Sequence, residues 1–216
     1  MNIIIFGPPG AGKGTQSKFI VNKYNLFQLS TGDLLRKEIK EKSEIGSKIA
    51  SIVNAGFLVS DDIVSKLIET TISNKKYNKR IVFDGYPRNI AQAKNLNILL
   101  NKYHQKIELV LKLNVSIDTI KKRVSGRSVF SMCGKIYNEF FNPAPINTDC
   151  CSGKYLQKRG DDTVEIAVRR FNTYEKETKP IFDFYEKMKL LKEVNGESEI
   201  NLIYEEISQI IDSIEA

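Results

Sequence analysis

Cysteine, histidine and long apolar runs are all scarce in this chain, and each shortage removes a class of protein. Three cysteines among 216 residues, two of them adjacent at Cys150 and Cys151, make no framework of the kind that staples secreted domains. No apolar stretch approaches the roughly 18 residues needed to cross a bilayer, and no signal peptide precedes the first predicted strand. The expectation is a cytoplasmic protein without a membrane partner, with cytosol and organelle matrix both left open. Charge is less balanced: 33 Lys and Arg face 26 Asp and Glu, for a net +7. Yet the basic residues are scattered, with no long basic run or RNA-binding aromatic signature, so nucleic acid is not an expected partner. Much of the surplus is lysine on polar helix faces, where its role is solvation. Internal repeats, low-complexity tracts and linkers are absent too. What remains is 41% apolar and 27% charged, enough for one α/β domain with insertions and a substantial core.

What is present begins at once. Asn2-Ile3-Ile4-Ile5-Phe6 is a continuous apolar run that suits a strand buried on both faces of a parallel sheet. Gly7-Pro8-Pro9-Gly10-Ala11-Gly12-Lys13-Gly14-Thr15 follows, and a helix is predicted from 15 to about 24. Such glycines let several N–H groups converge at a helix N-terminus, where the dipole adds to their attraction for anions. Lys13 supplies a full charge for the outer phosphates of a nucleotide. The pattern G-x-x-x-x-G-K-[ST] is met except that Gly14 holds the hydroxyl position and Thr15 comes one residue later. A plain Gly-rich turn is the competing reading. A dinucleotide fingerprint fits worse, because its third glycine would fall on Thr15.

Strands and helices then alternate. A short strand at 26–29 leads to Ser30-Thr31-Gly32-Asp33, where Ser30 or Thr31 caps a helix, with Arg36 one turn on. Ile45, Ile49, Ile52 and Val53 share one face of a second helix that Gly56 ends. Phe57, Leu58 and Val59 read as extended, and Ser60-Asp61 caps the next helix. Ile81-Val82-Phe83-Asp84 is a buried strand ending in a carboxylate. At that place a phosphate-loop protein keeps a Mg²⁺-site Asp, and a turn cap before Gly85 is the alternative. Gly85-Tyr86-Pro87-Arg88 turns into a helix that puts Gln92 on the face of Arg88. Another strand at 107–113 precedes a helix from 116 to about 126. On it Arg123 and Arg127, four apart, are expected on one face, where a solvent-facing pair is the other reading. Residues 128–160 carry turn signals and aromatics and read as a small β-rich insertion. A helix with Arg169, Arg170, Phe171 and Tyr174 follows and must bend or restart at Pro180. A strand at 190–194 and a helix marked by Ile200, Ile203, Ile207, Ile210, Ile211 and Ile214 close the chain. The fold class is therefore α/β, a doubly wound parallel sheet of five strands with a helical insertion and a β-rich insertion.

Arg36, Arg88, Arg123, Arg127, Arg159 and one of Arg169 or Arg170 sit at or beside element ends. Phosphoryl transfer between two nucleotides gathers several phosphates in one cleft, and guanidinium forks bind their oxygens bidentately. Catalysis of that kind is positioning plus electrostatic stabilisation, with water kept out by closing lids.

The stretches quoted at 7–15, 30–33, 84–88 with Gln92, Gly126-Arg127 and Arg159-Gly160-Asp161-Asp162 together resemble the adenylate kinase family, of the long-lid type. Their order and spacing match over essentially the whole chain, and Gly-Lys-Gly-Thr is how that family writes its loop. The resemblance implies ATP + AMP = 2 ADP, with Mg²⁺ and with ATP, AMP and ADP as the only partners of a monomer. It implies a core of 1–29, 60–126 and 164–216, an acceptor-binding insertion at 30–59 and a lid at 127–163. Gly10, Ala11, Gly12, Lys13, Gly14 and Thr15 would hold the ATP phosphates. Arg123 would lie against the ATP adenine with Ile136 and Tyr137 beside it, and Ser198 would meet it through its backbone. Thr31, Arg36, Phe57, Leu58, Val59, Gly85, Tyr86, Pro87, Arg88 and Gln92 would form the AMP site. Arg127, Arg159 and Arg170 would clamp the transferring group, the last two also reaching AMP. Lys13, Arg88, Arg127, Arg159 and Arg170 are thus the catalytic set, and Asp84 would orient Mg²⁺ through water. AMP's own oxygen is the nucleophile, so no side-chain base is implied. A GTPase is excluded by the absence of Asn-Lys-x-Asp and Asp-x-x-Gly; a monophosphate kinase of other base or donor preference, such as a GTP:AMP phosphotransferase, stays open.

One departure from the family concerns its zinc-binding lids. The four ligand positions fall on Phe130, Cys133, Cys150 and Gly153, of which two can ligate. Cys151 adjoins Cys150, and His104 lies outside the lid. No structural metal is expected, and Phe130, Tyr137, Phe140 and Phe141 are expected to form a small apolar core instead. A remnant site using Cys133, Cys150, Cys151 and Asp149 stays open.

Overall fold

A computed structural model describes residues 1–132, 134–145 and 155–215. In chain order the elements are β1 Ile3–Phe6, α1 Lys13–Tyr24, β2 Phe27–Ser30, α2 Thr31–Lys40, α3 Glu44–Asn54, α4 Asp61–Ile72, β3 Ile81–Asp84, α5 Ile90–Lys102, β4 Leu109–Asn114 and α6 Ile117–Ser125. A small sheet follows, of β5 Arg127–Phe130, β6 Ile136–Asn138 and β7 Leu156–Gln157. Then come α7 Val164–Thr173, α8 Ile181–Lys187, β8 Leu191–Asn195 and α9 Ile200–Glu215.

The main sheet is parallel in the order β2-β3-β1-β4-β8. Its central strand shows why. Ile3, Ile4 and Ile5 are fully buried, and the two-residue period of a strand sends neighbours to opposite layers. Ile4 and Phe6 join Phe83, Val110, Leu96 and Tyr185 on one face. Ile3 and Ile5 join Val82, Leu111, Ile20 and Ile207 on the other. Truncating any of these isoleucines to Ala costs about 2–5 kcal/mol. Because β1 lies between β3 and β4, the winding direction reverses beside it, which opens a crevice at the carboxyl ends of the strands. The phosphate loop, Ser30 and Asp84 all stand at that edge.

Several local expectations change. Helix α1 starts at Lys13 rather than 15, because Gly12, at φ +97°, caps it and its carbonyl accepts from the amides of Thr15 and Gln16. Arg127 does not share a helix face with Arg123. Gly126 ends α6 and Arg127 opens β5, so the two leave in different elements. Pro180 restarts the helix as α8, after a π-helical turn at Tyr174–Thr178. Ile214 is 41% exposed, since the last turn of α9 runs past the sheet it covers.

The apolar lid core is corrected in part. Phe130 is fully buried and meets Tyr155 edge-on at 5.7 Å, but Phe140 and Phe141 are 59% and 45% exposed. Strands of two to four residues bury one aromatic and have no area left for two more. Cys133, Asp149, Cys150, Cys151 and Gly153 lie outside the described residues. Among the described residues no helix is long and apolar enough to cross a membrane.

Candidate active site

The phosphate loop is shaped by its neighbours as well as by its glycines. Gly10, at φ +89°, packs so close to α6 that a Cβ would lie 3.0 Å from Val124 Cγ2. Lys13 folds back over the loop and donates to the carbonyls of Gly7 (2.7 Å) and Pro8 (3.0 Å). Loss of water pushes its pKa down to about 8; Asp84 opposes the shift, while Arg88, Arg127 and Arg170 reinforce it.

Those arginines come from three separate stretches of chain. Desolvation and then the charge of Arg170 push Arg88 down to about 10, and its Nε donates to Gly85 O at 2.8 Å. Arg159 is lowered by desolvation and by Arg127 and Arg36; among the described residues its guanidinium makes no hydrogen bond or ion pair, while its carbonyl accepts from the Asp162 amide at 3.1 Å. The others are held by acids. Arg127 grips Asp162 with both ends of its fork, Nε to Oδ2 at 2.7 Å, and the Asp162 side chain is fully buried. Arg170 pairs with Asp161 at 2.7 Å and Arg36 with Asp33 at 2.6 Å. Desolvation would raise both Asp161 and Asp33, but their arginine partners outweigh it and hold each below the usual carboxylate range. Asp84 goes the other way: desolvation raises it, against Lys13 and a 2.9 Å hydrogen bond from Gln28 Nε2.

One cleft of about 1580 Å³ gathers these groups. Its lining includes the loop residues Gly10, Ala11, Gly12, Lys13, Gly14 and Thr15, with Asp84, Gly85, Pro87, Arg88, Arg36, Phe57, Leu58 and Val59. Arg123, Arg127, Ile136, Tyr137, Arg159, Arg170 and Ser198 complete it. Thr31, Tyr86 and Gln92 stand apart, around an adjoining void of only about 10 Å³ that shares Leu58, Val59, Gly85 and Arg88 with the large cleft. There Thr31 Oγ1 donates to Gly85 O at 2.9 Å, and Gln92 Oε1 accepts from the Arg88 amide at 2.7 Å.

At the other end Arg123 bridges two loops, donating to Ala11 O (3.0 Å) and Gly196 O (2.8 Å). Its guanidinium lies 5.3 Å from the ring of Phe141, so that aromatic belongs to the cleft and not to a lid core. Glu197 ties down the turn that carries Ser198. It accepts from Ser116 N, Ser116 Oγ and Thr119 Oγ1 at 2.9, 2.6 and 2.9 Å, and these bonds hold its pKa down at about 2. Gln28, Glu197 and the cleft position of Phe141 escape a sequence reading; the acid partners of the arginines had local signals, Asp33 one turn before Arg36 and Asp161-Asp162 after Arg159. Chemically, the site is a cationic groove with the Asp84 carboxylate beside the loop, suited to two polyanions laid end to end.

Comparison with known proteins agrees with this geometry. The sequence model of the family described as Adenylate kinase matches residues 5–190. The chain is 48% identical to the adenylate kinase of Pelagibacter ubique over 211 residues, 98% of this chain and 99% of that one. It is 40% identical to the adenylate kinase of Fusobacterium nucleatum over 211 residues, and 39% identical to that of Methanothrix thermoacetophila over 213, with 98% of both chains covered in each case.

Proposed function

The chain belongs to the adenylate kinase family, and on that footing we infer that it catalyses ATP + AMP = 2 ADP. The observation that carries the reading is the joining of the phosphate loop and the arginines of three chain segments in one cleft. We assign the amides of residues 10–15 and Lys13 to the ATP phosphates, and Arg36 and Arg88 to the AMP phosphate. Arg127, Arg159 and Arg170 fall to the group in transit. An AMP oxygen attacks the γ-phosphorus and the ADP oxygen leaves, so no side chain need take a proton. The protein's part is to place the two oxygens in line and to meet the charge spread over the transferring group. The depressed pKa values of Lys13 and Arg88 support this, because cations already stripped of water gain most from an arriving phosphate.

Reactions of this type usually use Mg²⁺, and the residues fit it. Asp84 is a hard oxygen donor at the end of β3, anchored through Oδ2 by Gln28, and its Oδ1 takes no hydrogen bond among the described residues. Bound with the ATP phosphates, the ion would neutralise charge across the oxygens that change owner. Arg123 and Phe141, with Ile136, Tyr137 and the Ser198 backbone, are assigned to the ATP adenine. Thr31, Gln92, Leu58 and Val59 are assigned to AMP, with Phe57, Gly85, Tyr86 and Pro87 beside them. We further propose that 30–59 and 127–163 move against the core, that the lid needs no structural zinc, and that the enzyme is a cytoplasmic monomer without membrane or nucleic-acid partners. The buried Phe130 supports a packed lid.

Steady-state assays over each triphosphate and monophosphate pair test the reading. ATP with AMP is the expected best pair, since a base with donors and acceptors exchanged leaves buried polar groups unpaired at about 1–3 kcal/mol each. UMP or CMP turned over as efficiently as AMP would remove Gln92 and Thr31 from base selection.

A further inference from the structure

Gln92 is buried, and its amide is held at both ends. An amide's oxygen and nitrogen ends have nearly the same shape, so only their partners decide which way round it sits. At one end stands the Arg88 amide, which can only donate and therefore faces Oε1, at 2.7 Å. At the other stands Asp61, whose carboxylate can only accept and therefore faces Nε2, at 2.6 Å. We propose that Asp61 is a positioning residue for acceptor-base selection, fixing the Gln92 amide in the one orientation that matches adenine.

Asp61 is itself fixed. It sits in the first turn of α4, where a negative charge suits the helix dipole. Asn89 Nδ2 donates to both its oxygens, at 3.3 and 3.2 Å, while Asn89 Oδ1 caps α5 by accepting from Gln92 N at 2.8 Å. The beginnings of two helices are thus cross-braced around one amide. With those bonds made, Gln92 keeps one hydrogen on Nε2 and one lone pair on Oε1. Adenine offers an exocyclic amine that donates beside a ring nitrogen that accepts, the complement of what is left. Hypoxanthine offers a carbonyl and a ring N–H, the reverse, and would need the amide turned over. Turning it would set two donors against each other at Arg88 and two acceptors at Asp61.

The inference rests on Gln92 reading the AMP base, and the experiment separates the two. Wild type, Asp61→Ala and Asp61→Asn are assayed with ATP and either AMP or IMP, alongside thermal melts. For Asp61→Ala, KM for AMP rises about tenfold, the scale of one buried polar group left without its partner. Its preference for AMP over IMP narrows, while KM for ATP and the rate at saturating AMP hold. In Asp61→Asn the side-chain oxygen still accepts, so KM for AMP returns towards wild type. The preference stays narrowed, because its amide nitrogen can also donate to the oxygen of a turned Gln92. A folded Asp61→Ala variant with wild-type KM for AMP and wild-type preference overturns the proposal. So does a variant whose only change is a lower melting temperature, or equal losses with both substrates. Wild-type enzyme that does not prefer AMP to IMP overturns instead the reading of Gln92 as the base reader.

Discussion

Lys13 carries its charge at a cost that the phosphates assigned to it would relieve. In the free protein its ammonium rests on two loop carbonyls with a pKa near 8, well below the ordinary value of 10.5. Phosphate oxygens raise that pKa, so above pH 8 the nucleotide must bring a proton in with it. ATP affinity is therefore expected to hold below pH 8 and to fall as pH climbs past it. Calorimetry at pH 8.5 in buffers of different ionisation enthalpy should record proton uptake, and none should remain in Lys13→Ala. The sign for folding is opposite. A cation whose folded pKa is depressed binds fewer protons folded than unfolded between pH 8 and 10.5, so this group adds stability to the free protein as pH rises there.

At the scale of elements, the question is what holds the small sheet to the core. Arg127 opens β5 and Asp162 lies just ahead of α7, so their fork ties together the two ends of the lid segment at its root. Next to it Asp161 binds Arg170, whose Nη2 also reaches Val53 O at the end of α3 (3.2 Å), while Arg169 Nη1 reaches Ala55 O (2.7 Å). One turn of α7 thus touches both the lid root and the helical insertion. Removing one member of a buried ion pair strands the other. Asp162→Ala is expected to lose about 3–5 kcal/mol, and a double substitution of both members by apolar residues much less. Urea titrations of the two single variants and the double variant form the cycle that measures it. Additive losses would mean the pair is not coupled.

Over the whole molecule, function and stability pull against each other. Several desolvated cations repel one another across the cleft, a strain that the phosphates assigned to them would discharge. Arg88→Ala should accordingly melt no lower than wild type in the free state, yet lose at least about 100-fold in kcat/KM, the scale of one preorganised stabiliser. AMP alone at about 100 times its Kd adds about 2.7 kcal/mol to wild type, several degrees in Tm. The variant should gain clearly less. A variant that melts far lower than wild type without ligand would show that Arg88 serves the fold.

The sequence by itself determined the order of elements, the parallel sheet and the phosphate loop, because these follow from short-range physics. Apolar runs four residues long suit buried strands, glycines before a helix gather amides, and Ser30 accepts the amide bond of a helix cap. Even the arginines announced themselves by their placement at element ends. Tertiary structure alone decided what each charged or aromatic side chain faces. Nothing near Arg127 in sequence says that Asp162 will hold it, or that Asp61 will set the direction of Gln92 thirty-one residues away. Phe141 reads as lid core until the lid proves too small to bury it and Arg123 offers its flat face instead. Such pairings depend on where helices from distant segments come to rest, and that is settled by the packing of the two core layers, not by any pattern within one stretch.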